Sequence, residues 1–456
     1  MAYHKLFGTD GIRGIANRHP MTAEIALQVG RAVACYFKGR SERVDKKSVI
    51  LIGKDTRRSS YMIEQALAAG VTSQGAFALL VGPIPTPGVA FLAENMRADA
   101  GIMVSASHNS YEYNGIKLFG HDGFKLPDDV ENEIERLIIS GDLEKQLPVG
   151  EALGRAKRID DAMGRYVVHV KSSFAKSEDL KGFRVVLDSA HGAAYKFAPI
   201  VFSELGAEVI ELGNTPNGIN INKEVGALHP KNVRSRLIET RADIGIALDG
   251  DADRLVLVDE LGEILDGDQV LAILAVALKN NGRLNKNTLV VTPMSNEGLR
   301  AAMKDRGIQV VDAGVGDRKV VDLMRREGYN LGGEQSGHII CLDVSSTGDG
   351  VMSALAVLEV MKKTGKKLSE LKKIVELWPQ DMRNIRVKDK KELKSLKKYS
   401  QVLSDVEKNL GNSGRVLVRY SGTEPLCRIM VESRDEQKLV DALDALENIL
   451  VQELNG

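Results

Sequence analysis

Short apolar runs alternate with helix-spaced apolar positions along most of this chain. The runs Ala100–Val104 and Ile244–Leu248 have the length and composition of buried strands. Earlier in the chain, residues 21–37 repeat apolar side chains at helical spacing, which predicts an amphipathic helix. This alternation of strands and helices favours α/β sheets with helices packed on them.

Polar loops follow three of the predicted strands, and the strands resemble one another. Residues 97–104 read RADAGIMV and residues 241–248 read RADIGIAL, while a fainter copy, GYNLGG, occupies 328–333. The spacing is too long for a solenoid repeat, so it predicts repeated domains. Since α/β sheets bind ligands beyond the carboxyl ends of their strands, the three loops are candidate site segments.

The first loop contains two serines and a histidine. Ser105, Ser107 and His108 follow the strand directly, which places a hydroxyl beside a titratable ring, as a nucleophile requires. A merely polar turn has the same composition, because serine, histidine and asparagine all favour turns. Spacing alone leaves Ser105 and Ser107 as rival nucleophiles.

The second loop contains Asp249, Asp251 and Asp253 in alternation. Three carboxylates this close repel one another unless a cation neutralises them, and oxygen ligands favour Mg²⁺. A solvated acidic turn is the alternative. The apolar runs on both sides of the loop argue against it, because they predict that the carboxylates lie between buried strands.

Two further segments carry binding chemistry. The third loop has a carboxylate and a hydroxyl, Glu334 and Ser336, which suit the vicinal hydroxyls of a sugar. Residues 419–425 combine an arginine fork, two hydroxyls and a glycine, a pattern typical of a phosphate nest, although a charged hairpin turn is also compatible.

Five ordered motifs carry a resemblance to the alpha-D-phosphohexomutase superfamily. They read FGTDGIRG at 7–14, SASHN at 105–109, DGDADR at 249–254, GEQSGH at 333–338 and RYSGTEP at 419–425. The resemblance covers essentially the whole chain. It implies three similar mixed-sheet α/β domains and a smaller C-terminal α+β domain around a central cleft. The expected boundaries are 1–157 (phosphoserine), 158–258 (metal), 259–373 (sugar) and 374–456 (phosphate).

Roles for individual residues follow from the same resemblance. Ser107, in the register that places the modified serine just before histidine, would carry the phosphoryl group. The implied catalytic residues are Ser107, His108, Lys117, Arg13 and His338. The implied substrate-binding residues are Glu334, Ser336, Arg419, Ser421, Gly422, Thr423 and Arg428. The implied metal ligands are phosphorylated Ser107, Asp249, Asp251 and Asp253.

The implied reaction interconverts glucosamine 6-phosphate and glucosamine 1-phosphate through glucosamine 1,6-bisphosphate, with one Mg²⁺ per subunit, and supplies amino sugar for the cell wall. A glucose or mannose phosphate mutase of the same superfamily is the nearest alternative. A phosphatase using Asp249 as nucleophile fits less well, because Asp253 stands where its motif has Thr or Val, and a silent sugar-phosphate sensor would not keep the metal loop.

In two of the site loops, this chain departs from the superfamily pattern. Ser110 replaces a proline, which removes a rigid φ from the serine loop. Ala252 replaces a glycine, which leads us to expect a negative φ at that residue.

Charge and composition narrow the class of partner. Sixty-two basic and sixty-two acidic side chains cancel, so no global field favours nucleic acid or an anionic membrane, and we expect a small sugar phosphate. Three widely spaced cysteines argue against a disulfide framework. No signal peptide or membrane-length apolar run occurs, which indicates a cytoplasmic protein, with a homodimer as a possible assembly.

Overall fold

The computed structural model describes residues 5–8, 10–40, 47–145, 147–420 and 425–455. The chain forms two compact units. The larger unit contains Met1–Met294 and Gly307–Ile374, and the smaller one contains Ser295–Arg306 and Val375–Gly456. The larger unit holds three sheets and the smaller unit holds one.

The first sheet has six strands in the order β1-β5-β4-β2-β3-β6. The strands are β1 (Ile12–Ile15), β2 (Val49–Lys54), β3 (Phe77–Pro83), β4 (Ala100–Val104), β5 (Tyr113–Gly120) and β6 (Ala156–Arg158). The helices of this part are α1 (Ala23–Phe37), α2 (Arg58–Ser73), α3 (Thr86–Asn95) and α4 (Asp128–Ser140). A core of aliphatic side chains from β2, β4 and helices α1 and α2 fills one face of the sheet.

The second sheet has five strands in the order β11-β10-β9-β7-β8. The elements of this part are α5 (Ala162–Ser172), β7 (Arg184–Asp188), α6 (Phe197–Glu204), β8 (Glu208–Leu212), α7 (Lys231–Thr240), β9 (Ile244–Leu248), β10 (Leu255–Asp259) and β11 (Ile264–Leu265). Buried β9 delivers the acidic loop at its carboxyl end.

The third sheet has four strands in the order β13-β12-β14-β15. The elements of this part are α8 (Gly267–Asn280), β12 (Thr288–Val291), α9 (Glu297–Asp305), β13 (Gln309–Asp312), α10 (Asp317–Glu327), β14 (Leu331–Gly333), β15 (Ile339–Cys341), α11 (Gly350–Thr364) and α12 (Leu368–Leu371). Helix α9 lies between β12 and β13 in the chain, but its residues belong to the smaller compact unit.

All three sheets contain the same four-strand arrangement. In each, a central strand (β2, β7 or β12) lies between a parallel outer strand (β3, β8 or β13) and the strand that precedes a site loop (β4, β9 or β14). The next strand (β5, β10 or β15) returns antiparallel to it. Each site loop is therefore the connection of an antiparallel pair, which confirms the predicted three similar mixed-sheet domains.

The smaller unit has a different architecture. Its antiparallel sheet, in the order β16-β18-β17, is built from β16 (Gln380–Arg386), β17 (Gly414–Tyr420) and β18 (Leu426–Ser433). Helices α13 (Lys397–Leu410) and α14 (Glu436–Asn455) pack on this sheet. Leucines of α14 contribute to the core between them. The predicted α+β character of the C-terminal part is confirmed.

None of the helices in the described part of the chain combines the length and apolarity that a bilayer crossing requires.

Candidate active site

Ser107 lies in the loop between β4 and β5 and faces the acidic loop after β9. Its hydroxyl donates to Asp249 Oδ2 at 2.6 Å and lies 3.4 Å from His108 Nδ1. Burial, together with the charges of Arg254 and Arg13, lowers the pKa of His108 to about 4. The His108 ring is therefore neutral near pH 7. Ser107 itself has a φ of 51°, a strained backbone often found at functional residues.

The two serines of the loop have different partners. The Ser105 hydroxyl is fully buried, donates to Asp55 Oδ2 at 2.7 Å and accepts from the Ser107 N–H at 3.0 Å. The Ser105 hydroxyl therefore stabilises the backbone of the loop, whereas the Ser107 hydroxyl points towards the carboxylates. This geometry favours Ser107 of the two candidate nucleophiles.

Two buried side chains hold the serine loop by its backbone. The fully buried Arg57 donates to the carbonyls of Ser107 and Asn109, each at 2.9 Å, and also to the Ser110 carbonyl. Asn222 donates to the Ser107 carbonyl at 2.8 Å and to the Asn109 carbonyl at 2.9 Å. No motif in the sequence indicates either residue as an anchor of this loop. Bonds to main-chain carbonyls leave no trace in the sequence.

Three buried carboxylates form the acidic loop, and one oxygen from each of Asp249, Asp251 and Asp253 lies within 4.8 Å of the others. Burial raises the pKa of Asp249 well above its usual range, and the charges of Asp253 and Asp251 raise it further. Within the described part of the chain, Asp251 Oδ1 and Asp253 Oδ1 are buried without a hydrogen-bond partner. Crowded carboxylates with unbonded oxygens suit a hard divalent cation, so these residues could hold a metal.

The expectation for Ala252 is wrong. Its φ is 55°, in the left-handed region that favours glycine. The surrounding backbone imposes this conformation, because the Ala252 N–H donates to the Asp249 carbonyl and the Ala252 carbonyl accepts from the Gly350 N–H, both at 3.0 Å. This left-handed conformation costs an L residue roughly 1–2 kcal/mol. Ala252 has the smallest side chain that is subject to this cost, a methyl group.

Lys117 connects the acidic loop to the N-terminal loop. Its Nζ donates to Asp251 at 3.0 Å and Asp253 at 3.3 Å and lies 3.6 Å from Asp10. Burial alone would lower the pKa of Lys117, but the charges of Asp10, Asp251 and Asp253 outweigh it and raise that pKa well above its usual value. Lys117 is therefore a fixed positive charge. Arg13 bonds Asp10 at 2.8 Å on the open side of this cluster.

Two residues without a predicted role extend the charged cluster. Lys125 Nζ lies 2.5 Å from both Asp10 Oδ1 and Asp317 Oδ2. The Asp317 carboxylate in turn lies 3.6 Å from His338 Nε2. Their signal in the sequence is weak, since an isolated lysine and an aspartate at the start of a helix are common surface residues.

His338 is buried beside the acidic loop. The Gly348 N–H donates to its Nε2 at 3.2 Å. Burial lowers the pKa of His338, but the carboxylates of Asp253, Asp317 and Glu334 outweigh it and raise that pKa above its usual value. Nδ1 lies 3.7 Å from Asp253 Oδ1. In the same loop, the exposed Ser336 hydroxyl donates to Glu334 Oε2 at 3.2 Å. The structure thus brings Ser107, Lys117, the acidic loop and His338 into one network.

The predicted phosphate-binding residues lie in the smaller unit. Arg419 on β17 and Arg428 on β18 are directly opposed in the antiparallel register. Burial lowers the pKa of Arg419, and the charge of Arg428 lowers it further. Opposed like charges destabilise a sheet, and an anion between them would remove this cost. The predicted residues Ser421, Gly422 and Thr423 lie outside the described residues.

Family models match almost the whole chain. They are those of the phosphoglucomutase/phosphomannomutase alpha/beta/alpha domain I at residues 4–145, domain II at 164–262, domain III at 266–378 and the C-terminal domain at 382–448.

Full-length relatives and solved structures agree with these matches. Phosphoglucosamine mutases of Bdellovibrio bacteriovorus and Citrifermentans bemidjiense are 52% and 53% identical to this chain, each over 99% of both chains. A phosphoglucomutase/phosphomannomutase family protein of Burkholderia thailandensis has a TM-score of 0.79 at 22% identity, covering 98% of this chain and 97% of its own. N-acetylphosphoglucosamine mutase of Aspergillus fumigatus, solved with GlcNAc-6P and magnesium, has a TM-score of 0.68 at 16% identity, covering 98% and 95%. With four domain models matched in order and relatives more than half identical along its length, the chain belongs to the phosphoglucomutase/phosphomannomutase family, within the alpha-D-phosphohexomutase superfamily.

Proposed function

We propose that this protein interconverts glucosamine 6-phosphate and glucosamine 1-phosphate through a phosphoserine at Ser107. The observation that carries the proposal is the Ser107 hydroxyl, bonded at 2.6 Å to one of three clustered carboxylates. The identity of 52–53% to phosphoglucosamine mutases over the full length supports glucosamine phosphate as the substrate.

In the first half of the reaction, phosphorylated Ser107 transfers its phosphoryl group to O1 of glucosamine 6-phosphate. The bond between Ser107 Oγ and phosphorus breaks, a bond between phosphorus and O1 forms, O1 loses its proton and Ser107 Oγ regains one. The product is glucosamine 1,6-bisphosphate. After this intermediate turns round, its 6-phosphoryl group returns to Ser107 by the same exchange, and glucosamine 1-phosphate leaves.

Charge and proton handling fall to buried groups of the network. Lys117, held protonated by Asp10, Asp251 and Asp253, would stabilise negative charge on the phosphoryl group in transfer. His338, whose pKa the surrounding carboxylates raise, is the candidate for proton exchange with the sugar hydroxyl. The neutral ring of His108 would accept the proton of Ser107 or orient its hydroxyl. Arg13 would contact the phosphate from the open side of the cluster.

Asp249, Asp251 and Asp253, with the phosphate oxygens on Ser107, would hold Mg²⁺. When bound, this cation would neutralise charge on the transferred phosphoryl group. Glu334 and Ser336 would grip sugar hydroxyls. Arg419 and Arg428, with the predicted Ser421, Gly422 and Thr423, would hold the phosphate at the far end of the substrate.

A coupled assay comparing glucosamine, glucose and mannose phosphates tests the proposal. We expect kcat/KM to be highest for glucosamine 6-phosphate. Faster turnover of mannose or glucose phosphate would indicate the alternative activities of the same superfamily. A hydroxylamine-labile phosphate located on Asp249, instead of an acid-stable phosphate on Ser107, would indicate the aspartate-dependent phosphatase.

The domain boundaries at 157, 258 and 373, the cytoplasmic location and the homodimer stay predictions from the sequence.

A further inference from the structure

Thr86 contacts the acidic loop from behind. It is the first residue of helix α3 and follows Pro85. The side chain is 1% exposed, and its hydroxyl donates to Asp251 Oδ2 at 2.6 Å. The Thr86 N–H donates to the Asp251 carbonyl at 3.0 Å. One residue therefore fixes both the backbone and the carboxylate of Asp251.

The two oxygens of the Asp251 carboxylate differ in their surroundings. Oδ2 accepts from Thr86 Oγ1 at 2.6 Å and from Lys117 Nζ at 3.0 Å. Oδ1 is buried and has no hydrogen-bond partner among the residues that the structure describes. With Oδ2 bonded to two donors, the carboxylate cannot rotate without losing both bonds, so Oδ1 is the oxygen left for a cation. The hydroxyl contributes this orientation without adding positive charge.

Helix α3 is itself held rigidly. Tyr166, 1% exposed, packs against Gly88, where an added Cβ would lie 3.0 Å from the tyrosine ring. The Tyr166 hydroxyl donates to Asp349, which caps α11, and the first residue of α11, Gly350, donates to the Ala252 carbonyl at 3.0 Å. The starts of α3 and α11 thus hold consecutive residues of the acidic loop.

We propose that Thr86 is a positioning residue for the metal site, its hydroxyl orienting Asp251 so that Oδ1 faces the cation. This inference rests on the proposed function only in requiring that Asp249, Asp251 and Asp253 bind a divalent ion. Partners that orient metal ligands typically change metal affinity 10- to 100-fold when removed.

The test measures Mn²⁺ binding by electron paramagnetic resonance, without substrate or turnover. Thr86→Val removes the hydroxyl but keeps the backbone bond and the shape, and we expect its Kd for Mn²⁺ to rise roughly 10- to 100-fold. Thr86→Ser keeps a hydroxyl at this position, so its Kd for Mn²⁺ should stay within about threefold of wild type, well short of the change expected on removal of the hydroxyl. Thr288→Val is the matched control, since Thr288 is also 1% exposed but donates to the Lys286 carbonyl. Its affinity should be unchanged.

Melting of the metal-free variants separates orientation from folding. Thr86→Val should melt close to Thr288→Val without metal and gain less from added Mn²⁺. If Thr86→Val does not fold, Thr86→Ala and Thr86→Ser supply the comparison. Wild-type affinity in Thr86→Val, or equal loss in Thr288→Val, would overturn the inference. Failure of the wild-type protein to bind Mn²⁺ would instead overturn the proposed metal site.

Discussion

Asp55 accepts a hydrogen bond from one of the two serines of the first site loop and leaves the other available for chemistry. Because its Oδ2 accepts the Ser105 hydroxyl and the Arg57 Nε–H, both at 2.7 Å, Ser105 is committed to the support of the loop. We expect Ser107→Ala to abolish the acid-stable phosphate and to lower kcat by roughly 10³-fold or more.

Ser105→Ala is the matched control, since it removes a hydroxyl two residues away. It should keep phosphate on Ser107 and lose about 1 kcal/mol of stability with its hydrogen bonds. Intact-mass measurement, peptide mapping and the coupled assay check both variants. A phosphate that disappears in Ser105→Ala and persists in Ser107→Ala would reverse the assignment.

At the scale of elements, the start of α11 makes a pH-dependent contribution to stability. Asp349 is buried, and its Oδ1 accepts from the backbone N–H groups of Val351 and Met352. Burial raises the pKa of Asp349 from 3.8 to about 6, although the Tyr166 hydrogen bond and the backbone bonds oppose it. Because the folded pKa exceeds the unfolded one, the stability contributed by the protonated form is fully present below pH 3.8 and is lost as pH rises through 6.

Asp349→Asn keeps the cap and cannot ionise. Relative to wild type, it should therefore gain about 1 kcal/mol of unfolding free energy between pH 5 and pH 7.5. Denaturant titrations of both proteins at the two pH values measure this gain. A difference that is independent of pH over this range would show that Asp349 does not titrate there.

The opposed arginines of β17 and β18 allow a test that distinguishes a mutase from a phosphatase. A mutase must also hold the phosphate that is not being transferred, and we assign this to Arg419. Arg419→Ala should lower kcat/KM by about 30- to 1000-fold, or roughly 2 to 4 kcal/mol, and release more free bisphosphate. It should not destabilise the smaller unit, because it removes a like charge opposite Arg428.

Arg386→Ala, on the exposed end of β16, is the control and should retain wild-type kinetics. Unchanged kinetics and bisphosphate release in Arg419→Ala would remove this arginine from the mechanism.

Elements were predictable where one periodicity dominates. Buried runs predicted β4 and β9 at their observed bounds, and helical spacing predicted α1 with a start two residues early. Helix α2 begins at Arg58, directly after Arg57, whose side chain turns inward to the serine loop. Motif spacing indicated the serine loop and the acidic loop but left Ser105 and Ser107 as rival nucleophiles, and only the contact of Ser105 with Asp55 distinguishes them structurally. Motif spacing could not locate Arg57, whose contacts are to backbone carbonyls distant in sequence.

For the whole molecule, α4 of the first family domain is bound to the start of α10 in the third. Arg318 donates to Glu131 Oε1 at 2.8 Å and also to Asp128. Glu131 is only 3% exposed, so Arg318→Ala would leave a buried carboxylate without its guanidinium. We expect a loss of roughly 1–3 kcal/mol, measured as a melting temperature lower by a few degrees.

Arg136→Ala is the control for this prediction. Its side chain is 72% exposed on the same helix and, among the described residues, pairs with Glu133 at 3.9 Å, so this variant should melt like wild type. Equal melting of Arg318→Ala and Arg136→Ala would show that the α4–α10 contact adds nothing to stability.

Anchoring of the serine loop through its carbonyls affects how this segment can change over evolution. Arg57 and Asn222 bond the oxygens of Ser107, Asn109 and Ser110, and every amino acid supplies that oxygen. Serine can thus occupy position 110, where the superfamily pattern has proline, and the Ser110 carbonyl is still held. We therefore expect variation in the loop to be limited at Arg57 and Asn222 by the need for donors, and at Ser107 by its proposed role. We expect position 110 to vary more freely.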